Sequence, residues 1–212
     1  MKIIYLLFSL ISFLQVTAQE NQKIEPSAFQ LDSLLQAYGK NKTLAPGYEL
    51  QSLVALSFYP ELYETKIDFK LANKESIAKT TLPLLALIFN CKHYIIYINN
   101  NKSRTGIKFS EIPFNAQIGV IGHELAHAAD FKRKNLPALA WWGLRYLNNK
   151  THRKIERATD LATIRHGLGW QLYDFTNFVM KSPDAKSDYK KSKQKFYLHP
   201  EEIMQILNSR NL

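Results

Sequence analysis

Apolar residues follow a helical spacing in two stretches of the first half of the chain. Residues 27–30, Ser-Ala-Phe-Gln, match the capping box that opens a helix, because both polar side chains can satisfy free backbone N–H groups. The apolar side of this first helix would consist of Leu31, Leu34, Leu35 and Tyr38. Pro46 and Gly47 predict a break before a second helix, whose apolar positions are Leu50, Leu53, Val54 and Leu56.

Two later stretches have the patterns of β-strands. Residues 67–71, Ile-Asp-Phe-Lys-Leu, alternate between apolar and charged, which is the period of a half-buried strand. Residues 93–98, His-Tyr-Ile-Ile-Tyr-Ile, are rich in aromatic and β-branched side chains and are the strongest predicted strand. Residues 81–89 are apolar but include a proline, and they fit a loop, a strand or a short helix equally well.

Residues 114–131 contain no proline and consist mostly of small or apolar residues, which predicts a long buried helix. Gly119 and Gly122 each cost this helix about 1 kcal/mol in propensity, so we expect them to allow the close approach of a neighbouring strand. Two helices, a small sheet, this long helix and further helices together make an α+β fold.

The long helix carries the most specific motif of the chain, His-Glu-Leu-Ala-His at residues 123–127. His123 and His127 are four residues apart, so they project from one face and both imidazoles can reach one tetrahedral metal ion. Glu124 flanks that face, where its carboxylate could take a proton from a zinc-bound water. A chance match to this HExxH pattern is the less favoured alternative, because the chain has only six histidines.

A catalytic zinc ion needs a third protein ligand. The metzincin class would have a glycine at position 130 and a histidine at position 133, but the chain has Asp130 and Arg133, so that class is excluded. Glu156 and Asp160 are four residues apart and would share a face of a helix predicted over residues 151–166. Such pairs also occur on ordinary exposed helices, but the HExxH motif makes Glu156 the favoured third ligand.

The motif HELAH and the later ERATD together resemble the gluzincin clan of zinc peptidases, of which thermolysin is the familiar member. The resemblance implies a zincin-like minimal metallopeptidase domain, with a small sheet upstream of the HExxH helix and a second helix that bears the glutamate. It implies Zn²⁺ bound by His123, His127 and Glu156, with Glu124 as the catalytic base. Asp160 would hold the outer nitrogen of His123.

The match to the clan is incomplete. Thr159 parallels a small hydroxyl residue of the thermolysin pattern, but Ile155 stands where that pattern has an asparagine that orients the second histidine. Gluzincins also stabilise the oxyanion with a later histidine or tyrosine, for which the candidates are Tyr173, Tyr189, Tyr197 and His199. A strand just upstream of the HExxH helix borders the cleft in this clan, so we expect the edge of residues 93–98 to bind an extended peptide.

Three other histidines have plainer interpretations. His152 lies in a basic stretch and is expected at a solvated helix start, with metal binding as the alternative. His166 lies about 15 Å along the helix from Glu156 and is expected to close that helix before a glycine. His93 is expected to be a surface residue at a strand end rather than a metal ligand.

Lys2 is followed by an apolar run and by Val-Thr-Ala at residues 16–18, which is the form of a signal peptide. We expect cleavage near Ala18, export to the periplasm or outside the cell, and a single domain over residues 19–212. An uncleaved anchor is the alternative. Cys91 is the only cysteine, so an intrachain disulfide is excluded, and it is expected to pack as a small hydrophobe.

The formal net charge of +10 favours anionic surfaces. No nucleic-acid recognition motif accompanies this charge, so no nucleic-acid partner is expected. The stretch from Lys132 to Trp142 joins a basic cluster to a Trp-rich segment and could make a peripheral membrane contact. In the alternative, Trp141 and Trp142 pack over the two helices that carry the zinc ligands.

Two functions remain open at the level of sequence. The first is an exported zinc-dependent metallopeptidase that acts on a protein or peptide substrate. The alternative is a non-catalytic zinc-stabilised binding protein of the envelope or surface. Glu124 favours the peptidase, because a purely structural zinc site does not need a glutamate at that position.

Overall fold

The computed structural model describes residues 23–82 and 92–209. The helices are α1 Leu31–Tyr38, α2 Glu49–Ser57, α3 Lys102–Thr105, α4 Phe114–Arg133, α5 Leu136–Tyr146, α6 Asn149–Thr163, α7 Gly169–Lys181, α8 Ser187–Phe196 and α9 Pro200–Ser209. The strands are β1 Lys42–Thr43, β2 Lys66–Leu71, β3 Ala78–Thr81 and β4 His93–Ile98. The fold is α+β, as predicted. The predicted signal peptide and Cys91 lie outside the described residues.

The strands form one sheet in the order β1-β2-β4-β3. β1, β2 and β4 are parallel, whereas β3 runs antiparallel to β4, with Thr80 opposite Ile96. β4 is therefore paired on both sides, and the prediction that residues 93–98 offer a free edge is wrong. The edge strand beside β4 is β3, and β1 is the edge strand on the other side of the sheet. The sequence of β3, Ala-Lys-Thr-Thr, is too short and polar to show a strand period.

The start of α1 also differs from the prediction. Residues 26–28 form a 3₁₀ turn, and α1 begins at Leu31 with no side-chain hydrogen bond from its N-cap, Gln30. The capping box is therefore not formed. Pro26 favours the earlier turn, because its ring fixes φ and suits the first position of a helical segment.

α4 is buried along most of its length and packs against α2, α7 and the sheet. A Cβ atom added at Gly119 would lie 2.1 Å from the backbone oxygen of Gln171, and one at Gly122 would lie 2.5 Å from Leu168 Cδ1. The two glycines thus allow the close approach of α7 and the segment before it, rather than of a strand as predicted.

We expect Gly119→Ala to destabilise the protein by about 1–3 kcal/mol, because the new methyl group meets the backbone of α7 and two helices must separate. Urea unfolding measures this change. Gly143→Ala in α5 is the matched control, since a Cβ there meets nothing within 4 Å, and it should be neutral or stabilising by up to about 1 kcal/mol. Equal effects of the two substitutions would contradict the packing described here.

Candidate metal centre

The buried surface of α6 has an unusual composition. Its buried side chains are all polar and have the i, i+3, i+4, i+7 spacing that is normally apolar in a packed helix, namely Glu156, Thr159, Asp160 and Thr163. Buried polar groups require partners. α4 provides them, because His123 and His127 face this stripe from one turn apart.

The ligand atoms of His123, His127 and Glu156 lie within 4.8 Å of one another. Oε2 of Glu156 is 3.1 Å from Nε2 of His123 and 3.4 Å from Nε2 of His127. Ligands bound at about 2.0–2.1 Å in a tetrahedron lie roughly 3.3–3.4 Å apart. Two of the three distances between ligand atoms therefore match those of a tetrahedral site, and the three residues could hold a metal ion.

The outer nitrogen of His123 is also held. Nδ1 lies 2.9 Å from Oδ1 of Asp160, whose Oδ2 accepts a hydrogen bond from the backbone N–H of Leu198 at 2.8 Å. Asp160 is thus fixed from two sides. If Nδ1 carries the proton and donates to Asp160, Nε2 presents its lone pair to the centre.

The electrostatics of the group favour a cation. Burial alone would lower the pKa of His123, but the carboxylates of Asp160 and Glu156 outweigh it and raise this pKa to about 10. Burial alone would raise the pKa of Glu156, but His127 and His123 hold it well below its usual range. Carboxylates and ring nitrogens face one another here, so a proton or a metal ion must neutralise them.

Thr159 is the side chain that could orient His127, a role that the sequence left open. Its Oγ1 lies 3.4 Å from Nδ1 of His127 and donates a hydrogen bond to the backbone oxygen of Ile155 at 3.0 Å. The hydroxyl proton is therefore directed away from the ring, and the oxygen faces Nδ1 as an acceptor. The spacing of Thr159 from Glu156 by three residues could have revealed this role.

Oε1 of Glu156, the oxygen that does not face the histidines, has its own neighbours. The hydroxyl of Tyr146 donates to it, and Nε2 of His152 lies 3.4 Å away. The ring of His152 stacks between Tyr146 and Phe196, at centroid distances of 3.8 and 4.1 Å. The prediction that His152 is a solvated helix-start residue is therefore wrong, because its ring completes an aromatic wall beside the centre.

Glu124 joins the centre to the edge of the sheet. Its Oε2 accepts a hydrogen bond from the backbone N–H of Thr80 at 2.5 Å, and the Thr80 hydroxyl donates to the backbone oxygen of Glu124 at 2.8 Å. The backbone N–H of Asn99 bonds to the oxygen of Ile77, so alternate residues of β3 face β4, and Ala78 and Thr80 face outward. No motif in the sequence indicates that Thr80 contacts Glu124.

Of the four oxyanion candidates, Tyr197 lies nearest the centre, with its ring 5.5 Å from that of His123. Burial and the negative charge of Glu156 raise the pKa of its hydroxyl. Tyr189 is buried in the main core, and Tyr173 packs on Trp170 in a second, smaller core. His199 directly precedes α9, and its backbone N–H donates to the side chain of Glu202.

Two other histidines lie away from the metal centre. His166 stacks on Tyr59 at 4.2 Å and contacts Glu61 at 3.0 Å, and Gly167 follows it with φ of 93°, as a helix-closing residue would require. His93 is the first residue of β4, is half-buried and lies 3.0 Å from Asp68, outside the group of His123, His127 and Glu156.

We expect Asp160→Ala to weaken metal binding by about 10–100-fold, because His123 would lose the partner that fixes its ring. Competition with a chromophoric chelator measures the affinity. The control is Asp188→Ala, a carboxylate that is 95% exposed on α8 and should leave the affinity unchanged. Wild-type affinity in Asp160→Ala would show that this carboxylate has no influence on the ligand.

No family model, curated protein or solved structure matches the chain. The function must therefore be inferred from the residues of the metal centre themselves.

Proposed function

We propose that this protein is a zinc-dependent metallopeptidase of the gluzincin type, with a zincin-like minimal metallopeptidase domain. The observation that carries the proposal is the buried group of His123, His127 and Glu156, with Glu124 on the same helix turn. The predicted signal peptide would direct this activity to the periplasm or outside the cell.

The donor set fits zinc. Two imidazoles and one carboxylate form a group of three ligands among the described residues, as in catalytic zinc sites, whereas structural sites usually have four protein ligands. Zinc bound there would supply a Lewis acid for the scissile carbonyl and would lower the pKa of a water molecule to about 7.

Glu124 is the residue that would move the proton. Its carboxylate would take a proton from the attacking water and deliver it to the nitrogen of the leaving amine. The hydrogen bond from Thr80 holds Oε2 and leaves the other carboxylate oxygen for this transfer. Tyr197, beside His123, is the candidate donor to the oxyanion.

The substrate would bind along the outer edge of β3. On this edge the Thr80 N–H donates to Glu124 and the Ala78 oxygen accepts a hydrogen bond from the hydroxyl of Ser76. The main-chain partners of a peptide would therefore be the Ala78 N–H and the Thr80 oxygen, next to Glu124. An extended peptide can add to such an edge as a further strand, with main-chain hydrogen bonds that do not depend on its sequence. A protein or peptide substrate is therefore favoured over a compact small molecule.

The test compares peptide-bond cleavage by the protein in three forms: zinc-loaded, treated with a chelator, and chelated with zinc restored. Substrates are a casein-type protein and a peptide library. Activity should disappear with the metal and return with it. A zinc-loaded protein that cleaves none of these substrates would instead support a non-catalytic zinc-stabilised binding protein.

A further inference from the structure

α5 has two faces with different surroundings. Its inner face contributes Tyr146 to the metal centre and Trp142, whose ring lies 4.7 Å from that of Phe131 and 6.2 Å from that of His127. Its other face, here called the outer face, is apolar and exposed. The outer face consists of three residues of α5 and the residue that follows the helix: Leu136, Trp141, Leu144 and Leu147, which are 41, 63, 60 and 83% exposed. Apolar exposure of this size on one short helix marks a contact surface.

The charge around the outer face has one sign. Residues 132–155 contain seven lysines and arginines and no aspartate or glutamate. Four of these basic residues are exposed and form no ion pair with a described carboxylate: Arg145 in the last turn of α5, and Lys150, Arg153 and Lys154 in the first two turns of α6. A partner for this surface must therefore be both apolar and anionic.

The basic residues at the start of the stretch from Lys132 to Trp142 are less available for contact with a partner. Lys132 donates to the backbone oxygen of Glu61, and Lys134 is paired with Asp130. Trp142 faces the centre rather than the solvent. The surface available to a partner is thus the later one, around Trp141, Leu144 and Leu147, and not the whole stretch from Lys132 to Trp142.

We propose that the outer face of α5 docks on the surface of an anionic phospholipid bilayer. Tryptophan and leucine on one side, with lysine and arginine beside them, are the composition of helices that lie in the interface between headgroups and acyl chains. Anionic headgroups attract such basic residues. No helix of the described residues is long and apolar enough to cross a bilayer, so the contact is peripheral.

A second copy of the chain fits this surface less well. A symmetric dimer would bring each outer face against its counterpart, and with it the basic residues of both copies. Like charges at an interface oppose such association. The same unpaired basic residues instead complement lipid phosphates.

Docking would have a geometric consequence for the metal centre. The inner face of the same helix forms the wall of that centre, through Trp142 and Tyr146. The centre would therefore lie about one helix diameter, roughly 10–12 Å, from the bilayer surface. The docking itself does not require peptidase activity or bound metal.

The experiment is co-sedimentation of the protein with vesicles of phosphatidylcholine alone and of phosphatidylcholine mixed with phosphatidylglycerol. We expect binding to the mixed vesicles only, with a bound fraction that falls as salt is added. Trp141 emission should shift to shorter wavelength on binding, and Trp141→Phe should abolish the shift. Binding to neither vesicle, or equal binding to both, would overturn the proposal.

The double variant Trp141→Ser and Leu144→Ser should lower the vesicle partition coefficient at least about tenfold, because two large apolar side chains are removed. Its matched control is Leu31→Ser with Leu35→Ser, two exposed leucines on α1 that should not affect binding. Arg145→Glu with Lys150→Glu should remove the preference for anionic lipid. Zinc content measured in each variant separates these effects from any damage to the metal centre.

Sedimentation velocity without lipid tests whether the outer face instead binds a second copy of the chain. The proposal expects a monomer in wild type and in the Trp141→Ser and Leu144→Ser variant. A wild-type dimer that this variant disperses would show that the outer face binds a second copy, and would overturn the membrane assignment.

Discussion

Replacing Glu124 with glutamine should lower peptide hydrolysis by at least about 10²–10⁴-fold, the contribution of a positioned acid–base group. Glutamine keeps the size of the side chain and can still accept the hydrogen bond from Thr80, but it cannot take a proton at neutral pH. Zinc content and the unfolding temperature should stay close to wild type, because Glu124 does not belong to the group of residues that could hold the metal.

The measurement is the initial rate of cleavage at equal concentrations of folded, zinc-loaded protein. Glu25→Gln, the same chemical change at an exposed position, is the control and should retain full activity. Undiminished cleavage by Glu124→Gln would exclude this residue as the base. Loss of zinc in that variant would show that the carboxylate binds the metal instead.

The second large effect is expected from His127→Ala, which should reduce bound zinc from one ion per chain to none that survives gel filtration. The substitution removes one of three ligands and leaves a cavity where the ring packed. Zinc should raise the unfolding temperature of wild type and should no longer do so for the variant, because a ligand stabilises only the state that binds it.

Metal analysis by mass spectrometry and thermal unfolding with and without zinc provide the two measurements. His166→Ala is the control, because this ring packs on Tyr59 outside the ligand group. It should lose packing stability but keep its zinc. A His127→Ala protein that keeps a full equivalent of zinc would refute the assignment of this ligand.

The group of His123, His127 and Glu156 could be predicted from sequence because its geometry is local. His123 and His127 lie on one face of α4 by helical period alone, and the same period places Glu156 and Asp160 together on α6. That the two faces meet required the resemblance to a known pattern. Thr159 belongs to the same local stripe and could have been assigned with it.

Tyr146 and Thr80 could not be predicted in this way. The turn between α5 and α6 brings the Tyr146 hydroxyl onto Glu156, and Thr80 reaches Glu124 across 44 residues of sequence. Both contacts depend on how separate helices and strands pack together, and the spacing of residues in the sequence does not predict this packing. The free edge was assigned to β4 for a related reason, since the strong apolar pattern of a strand indicates burial and not its place in the sheet.

The tight contact between α4 and α7 has a mechanical consequence for the ligands. A helix turns about 100° per residue, so the direction in which His123 and His127 point depends on the rotation of α4 about its own axis. At Gly119, one turn before His123, the backbone of α4 lies directly against the backbone of Gln171. This contact leaves α4 little room to rotate. We therefore expect substitutions that push α7 outward to change metal affinity, although α7 contributes no ligand.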